Sequence, residues 1–323
     1  MNTEIGTDIN HAAALLKKGE LVAIPTETVY GLAGNALNES AVVKIFSAKN
    51  RPRFNPLIIH ISSLQELNKY AEAIPAVATT LANHFLPGPL TLLLPKKAIV
   101  PDIVTAGSNK VAIRIPRHPV TRTLLHELDF PLAAPSANPF GYVSPTSAQH
   151  VYDGLHGKIP YILDGGECTI GVESTIVSFD DAENVVVHRV GGVAVEAIEE
   201  VTGKKVVFQI NHQDAPDTPG QLKSHYATTT PLIAGDIREL LKKYPNEKVA
   251  VITFSKHYQA ENIIQQYVLS ANNDLEEAAK NLFKTLRLVD KIDATIILAE
   301  RFPNEGLGRA INDRLNRAQH IYK

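Results

Sequence analysis

The sequence predicts an α/β chain in two unequal parts, a longer strand-and-helix part followed by a smaller α/β unit. Three observations carry that prediction. Apolar runs of strand length, Leu21-Val22-Ala23-Ile24 and Leu57 to Ile61, bracket an amphipathic helical segment. Strand-length and helix-length patterns alternate again from Pro231. Between the two parts, Asn211 to Pro219 is polar and punctuated by proline, as linkers are. The 323-residue length suits two domains better than one core.

Asn10 to Lys18 reads as an opening amphipathic helix closed by Gly19. In the strand that follows, Pro25 ends the hydrogen bonding, and the polar turn Thr26-Glu27-Thr28 leads to Tyr30 and Gly31. The next helix has Asn38 or Ser40 as its N-cap and Val42, Val43, Ile45 and Phe46 as its apolar face. It stops before Pro52, and Lys49, Arg51 and Arg53 fan out behind it. His60 lies near the end of the strand Leu57 to Ile61. Ser62 caps a helix through Leu64, Leu67 and Tyr70. Pro75, read as the first helical residue, starts another, and Pro87-Gly88-Pro89 breaks it. Leu90 to Leu94 is a buried strand.

Lys110 to Ile115 alternates like a strand and carries Arg114 inside an apolar run. Leu132 to Asn138 is a short strand leading to a turn at Ser136 and Asn138. Ser144 reads as the N-cap of a helix through His150, Val151 and Leu155, whose N-terminus adds positive potential to a cavity. Ile176 to Phe179 forms a hairpin with Val185 to Val190, with Arg189 near its far end. A last helix of the first part ends at Gly203. In the second part, Leu232-Ile233-Ala234, Val249 to Phe254 and Ala294 to Leu298 read as strands. Helices end near Tyr244 and span Leu275 to Leu288. Gly306-Leu307-Gly308 opens the final helix. The third glycine of a dinucleotide fingerprint is missing there, so a plain closing helix is expected.

Hydrophobic residues make up 44% and charged residues 20% of the chain, the composition of a soluble globular protein. A net charge of −2, from 32 basic and 34 acidic residues, argues against a dedicated nucleic-acid coat and leaves room for a local basic cleft. Cys168 stands alone, which excludes an internal disulfide and a cysteine-cluster metal site. With no apolar run of membrane-span length and no signal peptide, the cytoplasm is the expected compartment and no membrane partner is expected. The Walker A pattern is absent, which argues against a P-loop kinase or GTPase.

Two strand ends and the cations Lys49, Arg51 and Arg53 are expected to converge on one patch. Such a patch suits an anion with several oxygens, because each charge-assisted hydrogen bond contributes roughly 1.5–3 kcal/mol. Arg114 has two readings that the residues leave open. One is a structural ion pair, since an unpaired buried guanidinium is costly. The other is a bidentate clamp for a substrate carboxylate.

The run P-T-E-T-V-Y-G-L from Pro25, followed by K-x-R-P-x-x-N-P-L from Lys49, resembles the signature of the threonylcarbamoyl-AMP synthases, the YrdC-like family. Further blocks follow in order: V-A-x-R-x-P-x-H-P from Val111, A-P-S-A-N from Ala134, S-P-T from Ser144, D-G-G from Asp164 and G-x-E-S-T-I-V from Gly171. Together they span about Leu15 to Gly203. P-G-x-x-x-x-H-Y, from Pro219 to Tyr226, matches a stretch that covers the active site in two-domain members. The usual proline after H-Y-A is Thr228 here.

The resemblance implies a YrdC-like twisted mixed sheet over residues 1–205, a linker over 206–230 and a small Rossmann-like accessory domain over 231–323. It implies condensation of L-threonine, bicarbonate and ATP to threonylcarbamoyl-AMP and pyrophosphate, for N6-threonylcarbamoyladenosine in tRNA. It places ATP on Lys49, Arg51, Arg53, Lys110, Ser136, Asn138, Ser144, Arg189 and Tyr226, with the two serines and Asn138 as neutral donors. Lys110 replaces the family's usual threonine. It places threonine on Thr26, His60, Arg114, Ala134 and Ser174, with Arg114 on the carboxylate. No residue is assigned as acid or base. Mg²⁺ is expected to arrive on the phosphates of ATP, because no carboxylate cluster marks a site for it. The expected downstream partner is the tRNA threonylcarbamoyl-transfer machinery, with at most a weak tRNA contact by this chain. The alternative is an RNA-binding module using Lys49 to Arg53 as a basic groove. A related carbamoyl-adenylate transferase normally carries zinc fingers, which one cysteine excludes.

Overall fold

The computed structural model describes residues 2–210 and 226–319. Among the described residues, fifteen strands form two sheets. The first sheet takes β1 (Glu4–Gly6), β2 (Val22–Ile24), β3 (Gly31–Asn35), β4 (Ile58–His60), β5 (Leu90–Pro95) and β6 (Lys110–Arg114). It continues with β7 (Leu132–Ala133), β8 (Tyr161–Leu163), β9 (Thr175–Phe179), β10 (Val185–Arg189) and β11 (Val207–Phe208). Their spatial order is β1-β8-β2-β3-β7-β4-β6-β5-β9-β10-β11. Parallel and antiparallel pairs mix: β4 runs parallel to β6, and β5 antiparallel to β6 and parallel to β9. The second sheet orders β12 (Leu232–Gly235), β15 (Ile296–Glu300), β13 (Val249–Thr253) and β14 (Ile263–Val268), all parallel. A parallel sheet with crossover helices is the Rossmann-like arrangement expected for this part.

The helix Glu39–Lys49 starts where its sequence says it should. Asn38 accepts from the backbone of Ser40 and Ala41, and Asn50 ends the helix in the left-handed region at φ 53°. Other expected caps move. Pro75 is the N-cap rather than the first helical residue, with the helix at Ala76–Phe85. The helix expected from Ser144 is Ala148–Leu155, capped by Ser147. Ser144 is fully buried and donates to Glu173 Oε1 at 2.6 Å, so no helix N-terminus begins there. One apolar cluster runs through both sheets, including Leu92, Ile113 and Val177 with Leu282, Phe283 and Ile311, and separate clusters form around Val22 and Leu163 in the first part and Val249 and Leu298 in the second.

The two sheets are pinned together at one edge. The helix Leu275–Val289 lies against the loop before β9 so closely that a Cβ on Gly171 would come within 2.5 Å of the Lys280 Cα. Gly171 also has φ +79°, a conformation that glycine adopts at no steric cost. Arg287 donates to the carbonyls of Val143, Ser144 and His150, and Tyr142 Oη donates to Asp290 at 2.9 Å.

Candidate active site

The cavity that gathers the chemistry opens where several strands end. His60 closes β4 and Arg114 closes β6, and parallel pairing puts these two residues in register. In parallel strands, registered neighbours present their side chains to one face. The turn after β2 supplies Thr26 and Thr28, the loop after the first long helix supplies Arg51, and the residue before β9 is Ser174. Arg189 comes from the end of β10, and Tyr226 closes the cavity from the segment leading to the second sheet. Ala134, Pro135 and Ser136 form a wall of small residues and backbone.

Of the two readings of Arg114, the structural ion pair is present. Its Nη2 donates to Glu27 Oε1 at 2.7 Å and its Nε to the Gly88 carbonyl at 3.2 Å, and it still lines the cavity. The pair is buried, each side chain 5% exposed. Burial works to raise the Glu27 carboxyl, but Arg114 and its hydrogen bonds hold it below the ordinary range. One carboxylate thus fixes the guanidinium by one edge and leaves Nη1 for a ligand. Beside it, burial and then Arg114 push His60 down to about 3, so the imidazole is neutral at physiological pH. Its Nδ1 is buried without a hydrogen-bond partner.

Arg51 is clamped by its own loop. Nη2 donates to Asn55 Oδ1 at 2.6 Å and to the Pro56 carbonyl at 2.9 Å, which explains the Asn-Pro that follows it. Burial pulls Arg51 down to about 9, with Tyr226 opposing and Arg189 reinforcing the effect. A guanidinium depressed by a neighbouring one marks positive potential that an anion would relieve. Arg189 donates from Nε to the Ser174 carbonyl and from Nη2 to Ser174 Oγ, each at 3.0 Å. Ser174 Oγ also pairs with Thr91 Oγ1 at 2.7 Å. Thr26 Oγ1 donates to the Val29 carbonyl at 2.6 Å, holding the Thr-Glu-Thr turn closed.

The expected meeting of three cations does not occur. Arg51 reaches the cavity, but Lys49 is not among the residues that line it. Lys49 is 1% exposed, and its Nζ donates to the carbonyls of Ser136 and Asn138. It braces the back of the wall that Ser136 presents in front. Arg53 is exposed and does not line the cavity. Lys110 sits at the opposite end of β6 from Arg114. Asn138 Nδ2 donates to the Pro139 and Tyr142 carbonyls and so holds a turn. Ser144 is one hydrogen bond removed from the cavity and spends its hydroxyl proton on Glu173. The basic groove of the RNA-binding alternative is not a surface feature, since Lys49 and Arg51 are both buried. Glu173 lines the cavity and was missed, although it stands inside the quoted G-x-E-S-T block. Thr218, Pro219, Gly220 and His225 lie outside the described residues.

A family model described as "Telomere recombination", covering the Sua5, YciO and YrdC proteins, matches residues 14–191. A second, described as "Threonylcarbamoyl-AMP synthase, C-terminal domain", matches residues 193–319. The threonylcarbamoyl-AMP synthase of Pyrococcus abyssi is 44% identical over 96% of this chain and 93% of its own length. That of Bacillus subtilis is 43% identical over 96% of this chain and 92% of its own. The chain belongs to the threonylcarbamoyl-AMP synthase family.

Its whole length fits that family's two-domain form. A crystal structure of P. abyssi Sua5 complexed with L-threonine superposes with a TM-score of 0.91 at 41% identity, covering 99% of this chain and 98% of that one. Membership makes the chain an enzyme of the nucleotidyltransferase type, and the mixed sheet with a Rossmann-like second unit is the family fold. Among the described residues no group of three or more His, Cys, Asp or Glu side chains is placed to hold a metal. The Glu173 carboxylate at the cavity wall is taken up by Ser144 Oγ on one oxygen and Arg314 Nε on the other. The residues present therefore do not fit a protein-held Mg²⁺ cage.

Proposed function

We propose that this cavity binds L-threonine beside ATP and joins them through bicarbonate, in a catalytic domain of residues 1–205 served by an accessory domain of residues 231–323. Threonine's amine and bicarbonate give N-carboxy-threonine and water. Its new carboxylate attacks the α-phosphorus of ATP, and pyrophosphate leaves. The protein's contribution is positioning and charge neutralisation rather than acid–base chemistry. Arg114 takes the threonine carboxylate, with neutral His60 beside it and Thr26, Ala134 and Ser174 shaping the pocket. Arg51 and Arg189 take phosphate oxygens, Ser136 adds a neutral donor, and the Tyr226 ring covers the nucleotide side. Lys49, Asn138 and Ser144 support that site through the wall they hold. Mg²⁺ would be brought by the phosphates of ATP rather than held by this chain's carboxylates, and would supply charge neutralisation there. The product then passes to the tRNA threonylcarbamoyl-transfer machinery in the cytoplasm.

The observation that supports this most is that Arg51, Arg114 and Arg189, from three separate stretches of sequence, line one cavity. The reading predicts that ATP is converted to pyrophosphate only when threonine and bicarbonate are both present. Pyrophosphate release that ignores threonine would refute it.

A further inference from the structure

The second domain reaches into the wall of the cavity through one side chain. Arg314 lies on the helix Gly308–Ala318 and is 0% exposed. Its Nε donates to Glu173 Oε2 at 2.8 Å. Its Nη1 donates to Asp313 Oδ2 at 2.5 Å, and Asp313 is held in turn by Arg317 Nε at 3.1 Å. The Arg314 guanidinium also stands 5.2 Å from the centroid of the Tyr226 ring, which stacks on Phe283 at 5.4 Å. One residue of the accessory domain therefore touches two groups that line the cavity, a carboxylate and an aromatic ring.

Glu173 is out of keeping with its surroundings. The cavity is lined by three guanidiniums suited to a carboxylate and a chain of phosphates, and Glu173 is the acidic side chain among its lining residues. A bare carboxylate there would repel the ligand that the guanidiniums attract. Burial favours its protonated form. Arg314, Arg189 and the hydrogen bonds from Ser144 and Arg314 override burial and hold the carboxyl at about 2. The charge is thus kept and cancelled rather than avoided. Once ionised, Glu173 accepts the only hydroxyl proton of Ser144, which fixes the rotamer of that side chain and leaves its oxygen as an acceptor.

We propose that Arg314 is a positioning residue for the nucleotide side of the cavity, supplied by the accessory domain. It neutralises Glu173, keeps Ser144 in one orientation, and holds Tyr226 by a cation–π contact. The inference rests on the cavity binding ATP.

The test is a double-substitution series on the full-length protein: Arg314→Gln, Arg314→Lys, Glu173→Gln and the pair Glu173→Gln/Arg314→Gln. ATP and threonine dissociation constants are measured by calorimetry, and kcat and KM from pyrophosphate release. Arg314→Gln leaves Glu173 charged without its ion-pair partner, so ATP affinity falls at least about tenfold while threonine affinity changes by less than about threefold. The pair removes both charges, and the amide oxygen introduced by Glu173→Gln still accepts from Ser144. ATP affinity in the pair therefore returns to within about threefold of the unaltered protein. Arg314→Lys keeps the charge without the planar fork and falls between. The neutral pair keeps the test valid if Arg314→Gln alone does not fold. Equal loss in the pair and the single variant, or equal loss for ATP and threonine, would show that Arg314 only holds the domains together. If the unaltered protein does not bind ATP at all, the reading of the cavity fails along with this one. If it does and the variants bind alike, only the role of Arg314 fails.

Discussion

Removing the Arg114 guanidinium separates the ligand role of this residue from its structural one. Arg114 spends Nε on the Gly88 carbonyl and one edge of Nη2 on Glu27, leaving its remaining N–H groups to a carboxylate. Two charge-assisted hydrogen bonds at about 1.5 kcal/mol each give about 3 kcal/mol, which is roughly a 150-fold loss in threonine affinity in Arg114→Ala. Arg114→Lys keeps a point charge but no fork, and its loss should lie between. Arg114→Ala also strands the buried Glu27 carboxylate and should lose about 3–5 kcal/mol of stability. Combining Arg114→Ala with Glu27→Gln removes the stranded charge and should recover most of that stability without recovering threonine affinity. Calorimetric titration with threonine, alongside urea unfolding of each variant, reads both quantities. The reasoning is refuted if threonine affinity returns with stability in the double variant, because Arg114 would then be a strut and not a ligand.

The same geometry fixes three further outcomes. His60 is held neutral at about 3, far below its ordinary value, so the unfolded chain takes up its proton first as pH falls. Its contribution to stability is complete above about pH 6.5 and declines on acidification, by about 2 kcal/mol at pH 5, and the urea midpoint of His60→Asn should lack that slope. Gly191→Ala should cost about 1–3 kcal/mol and weaken threonine binding. A Cβ there would lie 2.2 Å from the Glu173 carbonyl oxygen and 2.5 Å from the Ser174 carbonyl carbon, and thermal unfolding with threonine titration would detect the shift. Cys168 is 2% exposed with its thiol pushed up chiefly by burial, so a disulfide reagent should label it only after denaturant is added.

The fold was legible where the sequence speaks locally. Asn38, one of two caps read for its helix, and Gly203 cap as expected, and β9 and β10 pair as the hairpin read from their apolar runs. Most strands that escaped notice are short or rich in glycine. β3 is Gly31-Leu32-Ala33-Gly34-Asn35, and β1, β8 and β11 have two or three residues each, too few for a period to show. β14, Ile263–Val268, is longer, but its two central glutamines interrupt the apolar run. Ser144 looked like a cap because a polar residue before a helix usually is one, and its partner, Glu173, lies 29 positions away. In the same way Lys49 looked like a phosphate ligand. Sequence shows a lysine after a helix, but not the two carbonyls folded over its Nζ. His60 and Arg114 were found as polar residues at the ends of apolar runs. That they stand side by side is a property of β4 lying next to β6, which no local pattern encodes. Glu173 and Arg314 belong to different domains, and their pairing is invisible until both are folded.

A crystal structure with L-threonine and a non-hydrolysable ATP analogue bound together tests the central claim most directly. The account predicts the threonine carboxylate on Arg114 and phosphate oxygens on Arg51 and Arg189, with the amino group and the α-phosphorus facing one another across the same cavity. Threonine and nucleotide bound in separate clefts, or a nucleotide that touches neither Arg51 nor Arg189, would contradict it.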